Sequence, residues 1–138
     1  INNNFMNCRR DIVDYLIVTN NPLVQEQVDI KIQFCSNLDE VMSSTRNKVH
    51  AGYKLLTHPL SGSVKPVQSP YKSIILGKDE NNKQGHSLDY DSLQIIESAL
   101  KKVEQFKKNH SPRKYPDSIL LDYQTIDFSL LSSGLESL

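Results

Sequence analysis

From Val28 to Phe34 the chain alternates strictly between apolar and polar side chains (Val28-Asp29-Ile30-Lys31-Ile32-Gln33-Phe34), and a few residues later the pattern changes period. Leu38, Val41, Met42, Thr45 and Val49 are spaced three and four apart. A period of two suits a strand with one buried face, and a period near 3.6 suits a helix, so the switch commits this part of the chain to β followed by α. The alternation predicts a half-buried strand with Val28, Ile30, Ile32 and Phe34 inward. The helix takes its N-cap from Ser36 or Asn37 and carries Asp39 and Glu40 in its first turn. It ends with Arg46, Lys48 and His50 against the negative end of its dipole, and Gly52 is placed as the C′ residue. Lys54-Leu55-Leu56-Thr57 then reads as a strand. If it shares a sheet with the first, the unit is a parallel, right-handed crossover.

The flanking segments extend this pattern. Tyr15-Leu16-Ile17-Val18 is a continuous apolar run, as expected of a strand buried on both faces, and Thr19-Asn20-Asn21-Pro22 stops it with a turn. Ser73–Leu76 is a further short strand. Between it and Thr57 lies a long Pro/Ser/Gly segment, His58 to Tyr71, and a polar turn follows at residues 77–85. Leu93, Ile96, Leu100 and Val103, extended by Ala99 and Phe106, form one face of a helix opened by Asp89 and Asp91 and closed by Lys107 and Lys108. Residues 109–117 read as a loop. The segment Ile119 to Leu135 carries two apolar stripes, Ile119/Tyr123/Ile126/Leu130 and Leu121/Phe128/Leu131/Leu135. A helix is favoured there over a short strand at Ile119–Tyr123 followed by a shorter helix. A helix apolar on two sides is central or covered by a partner, so a homodimer or another subunit contact through Leu121, Phe128 and Leu131 is expected. The fold expected is α/β: a Rossmann-like, small mixed sheet of about four strands flanked by about three helices. It occupies residues 14–138 as a single domain, with residues 1–13 a poorly ordered lead-in.

The composition narrows the function. Sixteen basic and sixteen acidic side chains cancel, which argues against a generally cationic nucleic-acid or membrane binder. Two cysteines, Cys8 and Cys35, with no C-x-x-C, provide neither a disulfide scaffold nor a thiolate zinc site. No apolar run reaches the length of a membrane span and no signal-peptide pattern is seen, so a soluble cytoplasmic protein is expected. The neutral total hides an asymmetry. From Val41 through Lys78, 38 residues, there is no Asp or Glu, whereas Arg46, Lys48, Lys54, Lys65, Lys72 and Lys78 all fall there.

That acid-free stretch contains the long loop, whose chemistry suits anion capture. Ser61-Gly62-Ser63 can turn backbone N–H groups and hydroxyls toward one point, Lys65 and Lys72 add charge, and Tyr71 adds a phenolic donor. Ligands of open α/β sheets lie beyond the carboxyl ends of the strands. If the first and third strands are parallel neighbours, Thr19, Asn20 and Asn21 meet His58, Ser61, Gly62, Ser63 and Lys65 on one rim, and the expected ligand is a phosphate, sulfate or carboxylate. A metal is not expected, because the loop offers no carboxylate to a hard cation, and neither the Walker A nor the dinucleotide fingerprint is present, so no cofactor is expected. His58 is the one candidate acid or base for a small enzyme at the same rim. Without an identifiable nucleophile or metal partner, a binding role is favoured over catalysis. Arg46 and His50, one turn apart, are accounted for by the helix dipole.

Val18–Val24 (V-T-N-N-P-L-V), Arg46–His50 with Gly52 close behind, Lys54–Pro66 (K-L-L-T-H-P-L-S-G-S-V-K-P) and Ser69–Ser73 (S-P-Y-K-S) together resemble the GrdX family, proteins encoded beside the glycine reductase complex of amino-acid-fermenting anaerobes. The resemblance runs from Tyr15 to about Leu131. Tyr53 and Val67-Gln68 depart from the family pattern, which has His and a polar pair there, so no family role is carried to position 53. The resemblance implies a cytoplasmic accessory of glycine, sarcosine or betaine reductase metabolism, and it implies no reaction; the subunit contact expected from the two apolar stripes would then be with a reductase subunit or a second copy.

Overall fold

The computed structural model describes residues 12–60, 69–79, 87–111 and 113–138. Strand β1 (Ile12–Thr19) leads through helix α1 (Pro22–Gln27) to β2 (Ile32–Phe34), helix α2 (Leu38–His50) and β3 (Lys54–Leu55). Strand β4 (Ser73–Asp79) and helices α3 (Tyr90–Asn109) and α4 (Asp117–Glu136) complete the described chain. The strands form one mixed sheet in the order β2-β1-β4-β3. β2 runs parallel to β1, and β4 runs antiparallel to both β1 and β3. β1, β2 and β3 therefore share a direction, and their carboxyl ends lie on the rim where β4 begins. β1 and β3 are parallel but not neighbours, because β4 is inserted between them.

The central pair explains the unbroken apolar runs. In β1, Leu16 and Val18 face one side and Ile17 the other; in β4, Ile74 and Leu76 face one side and Ile75 the other. On the first side they meet Val41, Met42 and Val49 of α2 and Ile96, Ala99 and Val103 of α3. On the second they meet Val24 of α1 and Leu131 of α4, with Phe128 and Leu135 packed alongside. The result is a three-layer α/β/α sandwich, mixed in strand direction. No helix among the described residues is long and apolar enough to cross a membrane.

Three expectations are corrected here. The stretch Val28–Phe34 is a strand only over Ile32–Phe34. Its first part follows α1, whose last turn draws in the Val28 N–H as a donor to the Val24 carbonyl. β2 is also an edge strand, so its outer residues have only one neighbouring strand, and Phe34 stays 40% exposed rather than turning inward. The turn Thr19-Asn20-Asn21-Pro22 starts a helix: Asn21 is the N-cap, its side chain accepting from Leu23 N–H, and Pro22 takes the first turn. In α4 the stripe assigned to a partner is divided. Leu131 is buried in the chain's own core, which removes it from any intermolecular contact, and Phe128 packs half-buried beside it. Ile119, Leu121, Ile126 and Leu130 are the exposed apolar residues of that helix.

The end of α2 follows its local chemistry. The side chain of Asn37 accepts from Glu40 N–H at the start. At the finish, Tyr53 N–H donates to the Lys48 carbonyl and Gly52 N–H to that of Val49, both at 3.0 Å. This is a Schellman closure, and Gly52 occupies its left-handed position with φ of 101°. A side chain is strained there, so Gly52→Ala should destabilise the fold by about 1–2 kcal/mol, seen as a lower urea midpoint at unchanged slope; an unaltered midpoint would refute this assignment. Arg46 of α2 lies 3.9 Å from Glu97 of α3, an exposed pair tying the two helices.

Candidate functional site

Beneath the carboxyl rim is a connected polar layer. Thr19 and Asn21 are fully buried, and Asn20, Lys72 and Asp127 nearly so. Such groups are tolerated inside only when they satisfy one another, and these do. Asn21 N–H donates to Thr19 Oγ1 at 3.0 Å, Thr19 Oγ1 lies 2.7 Å from Ser73 Oγ, and Ser73 Oγ–H donates to Asp127 Oδ2 at 2.6 Å. With that hydrogen given to Asp127, the Thr19 hydroxyl is the donor to Ser73. The Asn21 amide closes the ring, donating to Asp127 Oδ2 at 3.0 Å and to the Gln124 carbonyl at 2.9 Å while its oxygen caps α1. Asn21 is thereby committed to joining β1, α1 and α4.

Asn20 performs the matching task at the surface of the rim. Its Nδ2 donates to the Pro70 carbonyl at 2.8 Å and its Oδ1 accepts from Lys72 N–H at 2.9 Å, fastening residues 70–72 against the end of β1. The Tyr71 hydroxyl accepts from Gln124 Nε2 at 2.9 Å.

Burial pushes the Asp127 carboxyl above the usual range, although Ser73, Asn21 and Lys72 each pull it back. Burial likewise lowers the Lys72 ammonium, opposed by the attraction of Asp127. Lys72 therefore has a carboxylate in its surroundings. The acid-free character of residues 41–78 holds along the chain but not in space, because α4 delivers Asp127 from far downstream. Sequence reasoning missed Asp127, Ser73 and Gln124. The available signal was that Gln124 and Asp127 fall at helical spacing between Leu120 and Leu131, so polar side chains occupy inward positions of α4.

Above this layer opens a cleft of about 460 Å³. Asn20, Pro70 and Tyr71 form one side, Ser36, Asn37 and Leu38 at the start of α2 another, and Phe106, Lys107, His110, Arg113 and Tyr115 from the end of α3 and the following loop the third. Lys107 is paired with Asp39. Among the described residues no carboxylate lies within ion-pair distance of Arg113. His58 lines a different cleft of about 440 Å³, with Leu60 and the α3 residues Asp91, Gln94 and Lys102. Its Nδ1 accepts from Leu60 N–H at 3.1 Å, a local turn contact. Of the expected site residues, then, Asn20 and Tyr71 line the main cleft, Thr19, Asn21 and Lys72 lie buried in or beside the polar layer, and His58 stands apart. Ser61, Gly62, Ser63 and Lys65 lie outside the described residues. Among the described residues no group of three or more His, Cys, Asp or Glu is arranged to hold a metal.

The opposite end of the sheet carries a second polar group. Tyr53 OH donates to Asp14 Oδ2 at 2.9 Å, Lys31 Nζ reaches both the Tyr53 oxygen and Asp14 at 3.3 Å, and Lys78 Nζ sits 4.7 Å from the Tyr53 ring centre. Burial pushes the Asp14 carboxyl up, but the bonds from Tyr53 and Lys31 outweigh it and leave its pKa lowered. Tyr53 itself is buried, and its role is to tie β1 to the segment leading into β3.

A sequence model of the family described as GrdX-like protein matches residues 16–136. No curated protein and no solved structure matches the chain.

Proposed function

This chain belongs to the GrdX-like family, and from that premise we propose that it is a non-catalytic, cytoplasmic accessory of the glycine, sarcosine or betaine reductase system that binds an anionic small metabolite at the carboxyl rim of its sheet. The observation that carries this reading is the cleft over the strand ends, in the size range of small-molecule sites. Arg113 enters that cleft without a carboxylate partner among the described residues, and the Asn20 amide stands at its wall. A guanidinium suits a phosphate or carboxylate because its donors form a planar fork that matches their oxygens. Protein contact by the accessory, with a second copy or a reductase subunit, uses the outward α4 residues Ile119, Leu121, Ile126 and Leu130 rather than the buried Leu131.

A thermal-shift titration tests the anion reading. Inorganic phosphate, sulfate or acetate at 100 times its Kd should stabilise the fold by about 2.7 kcal/mol, with the shift shrinking as sodium chloride rises. Arg113→Ala should remove the shift. Lys54→Ala should not, because Lys54 lies at the far end of β3 beside Asp79, at 3.9 Å. No shift with any of the three anions, or an equal response from both variants, would refute the reading.

A further inference from the structure

Resting on that reading, we propose that the anion taken by the rim cleft carries a planar aromatic or heteroaromatic ring, as an aryl carboxylate or a nucleoside monophosphate does. The cleft is walled by four rings, Tyr71, Phe106, His110 and Tyr115, with the two cations Lys107 and Arg113 among them. A simple inorganic anion has no use for such walls, and a purely apolar ligand has no use for the cations.

The rings are also held in place by contacts within the protein. Phe106 and His110, one turn apart at the end of α3, are stacked with centroids 3.9 Å apart and planes 7° from parallel. The His110 ring nitrogen is tied to the Phe106 carbonyl at 3.0 Å. Tyr115 meets Tyr123 of α4 edge-on at 5.1 Å, and Tyr71 is anchored through its hydroxyl by Gln124. Rings fixed before a ligand arrives lose little freedom when one packs against them, which favours binding.

Isothermal titration calorimetry on the full chain separates the possibilities. The probes are adenosine 5′-monophosphate, ribose 5-phosphate, phenylacetate, acetate and adenosine. At least one ring-bearing anion should bind tenfold or more tighter than its ringless counterpart, and which one does so identifies the phosphate or the carboxylate as the anionic group. Tyr115→Leu should reduce the affinity of that ring-bearing anion by a larger factor than that of its ringless counterpart. Phe106→Leu should do the same, with urea melts establishing that both variants fold. Equal affinities with and without the ring would overturn this inference while leaving the anion reading intact. Adenosine binding as tightly as its monophosphate would overturn it by showing the cations idle. Absence of binding by all five probes would overturn both.

Discussion

Asp127→Ala should lower the stability of the fold by about 2–4 kcal/mol, because it orphans the Ser73 hydroxyl and one Asn21 N–H in a buried layer, where an unsatisfied donor costs about 1–3 kcal/mol. It also removes the carboxylate that opposes the buried Lys72 charge. Against this stands the desolvation of the carboxylate itself, which the mutation relieves, so the net loss is smaller than the separate costs combined. Asp127→Asn keeps an acceptor for Ser73 and the side-chain shape, and should lose less. The pH dependence carries a definite sign. Folding raises the Asp127 pKa above the ordinary 3.8, so the native state holds that proton more tightly than the unfolded chain. The stability this group contributes is complete below that value and is lost as pH climbs through the raised one. Lys72 is the mirror case: folding lowers its pKa from 10.5, so its contribution is present above that value and is lost as pH falls through the lowered one. In urea denaturation at a series of pH values, the stability difference between wild type and Asp127→Asn should therefore shrink from acid toward neutral pH. A difference that grows over this range, or an Asp127→Ala variant as stable as wild type, would show that the polar layer is not the element described.

Leu131→Ala should cost about 2–5 kcal/mol, the usual range for emptying a buried leucine site. Leu131 closes the second core with Ile17, Val24 and Ile75, and α4 sits so close to β4 that a Cβ on Gly134 would lie 3.3 Å from Ile75 Cδ1. A backbone held that near has little room to collapse into the cavity. Leu130, one residue away but 46% exposed, should change stability by less than about 0.5 kcal/mol when replaced by Ala. Equal losses at 130 and 131 would mean that the outward stripe is covered and that the two faces of α4 are equivalent.

What could be read from the residues was the chemistry that acts over a few positions. Asn37, Gly52, Asp89 and the closing lysines of α3 fixed helix ends because capping depends on neighbours alone. The favoured helix at Ile119–Leu135 also matches α4, observed over Asp117–Glu136. Helix α1 was illegible for the opposite reason. Its six residues are too few to show a period, and Asn21-Pro22 serves a turn as well as an N-cap. The alternation of Val28–Phe34 reported burial correctly at Val28, Ile30 and Ile32, which pack on the second core, but half-burial near a sheet edge does not require strand pairing. At the rim, strand-exit logic pointed to Thr19, Asn20 and Asn21. Nothing local linked them to Asp127, which lies 106 positions from Asn21. The aromatic cleft was hidden likewise, since Phe106 read as core and residues 109–117 read only as a connection.

The antiparallel placement of β4 has a bearing on how such a protein can diversify. The chain leaves the sheet just after β3 and re-enters it at the adjacent strand, with Leu56 N–H already bonded to the Ile75 carbonyl at 2.9 Å and Ile75 N–H to Thr57 Oγ1 at 3.1 Å. The two anchorage points are thus clamped by the scaffold whatever joins them. For a flexible connection between fixed ends, each doubling of length adds about 0.6 kcal/mol of loop-closure entropy. Residues added or removed between Thr57 and Ser73 therefore leave the register of β3 on β4 unchanged, and the strands and helices below keep their threading.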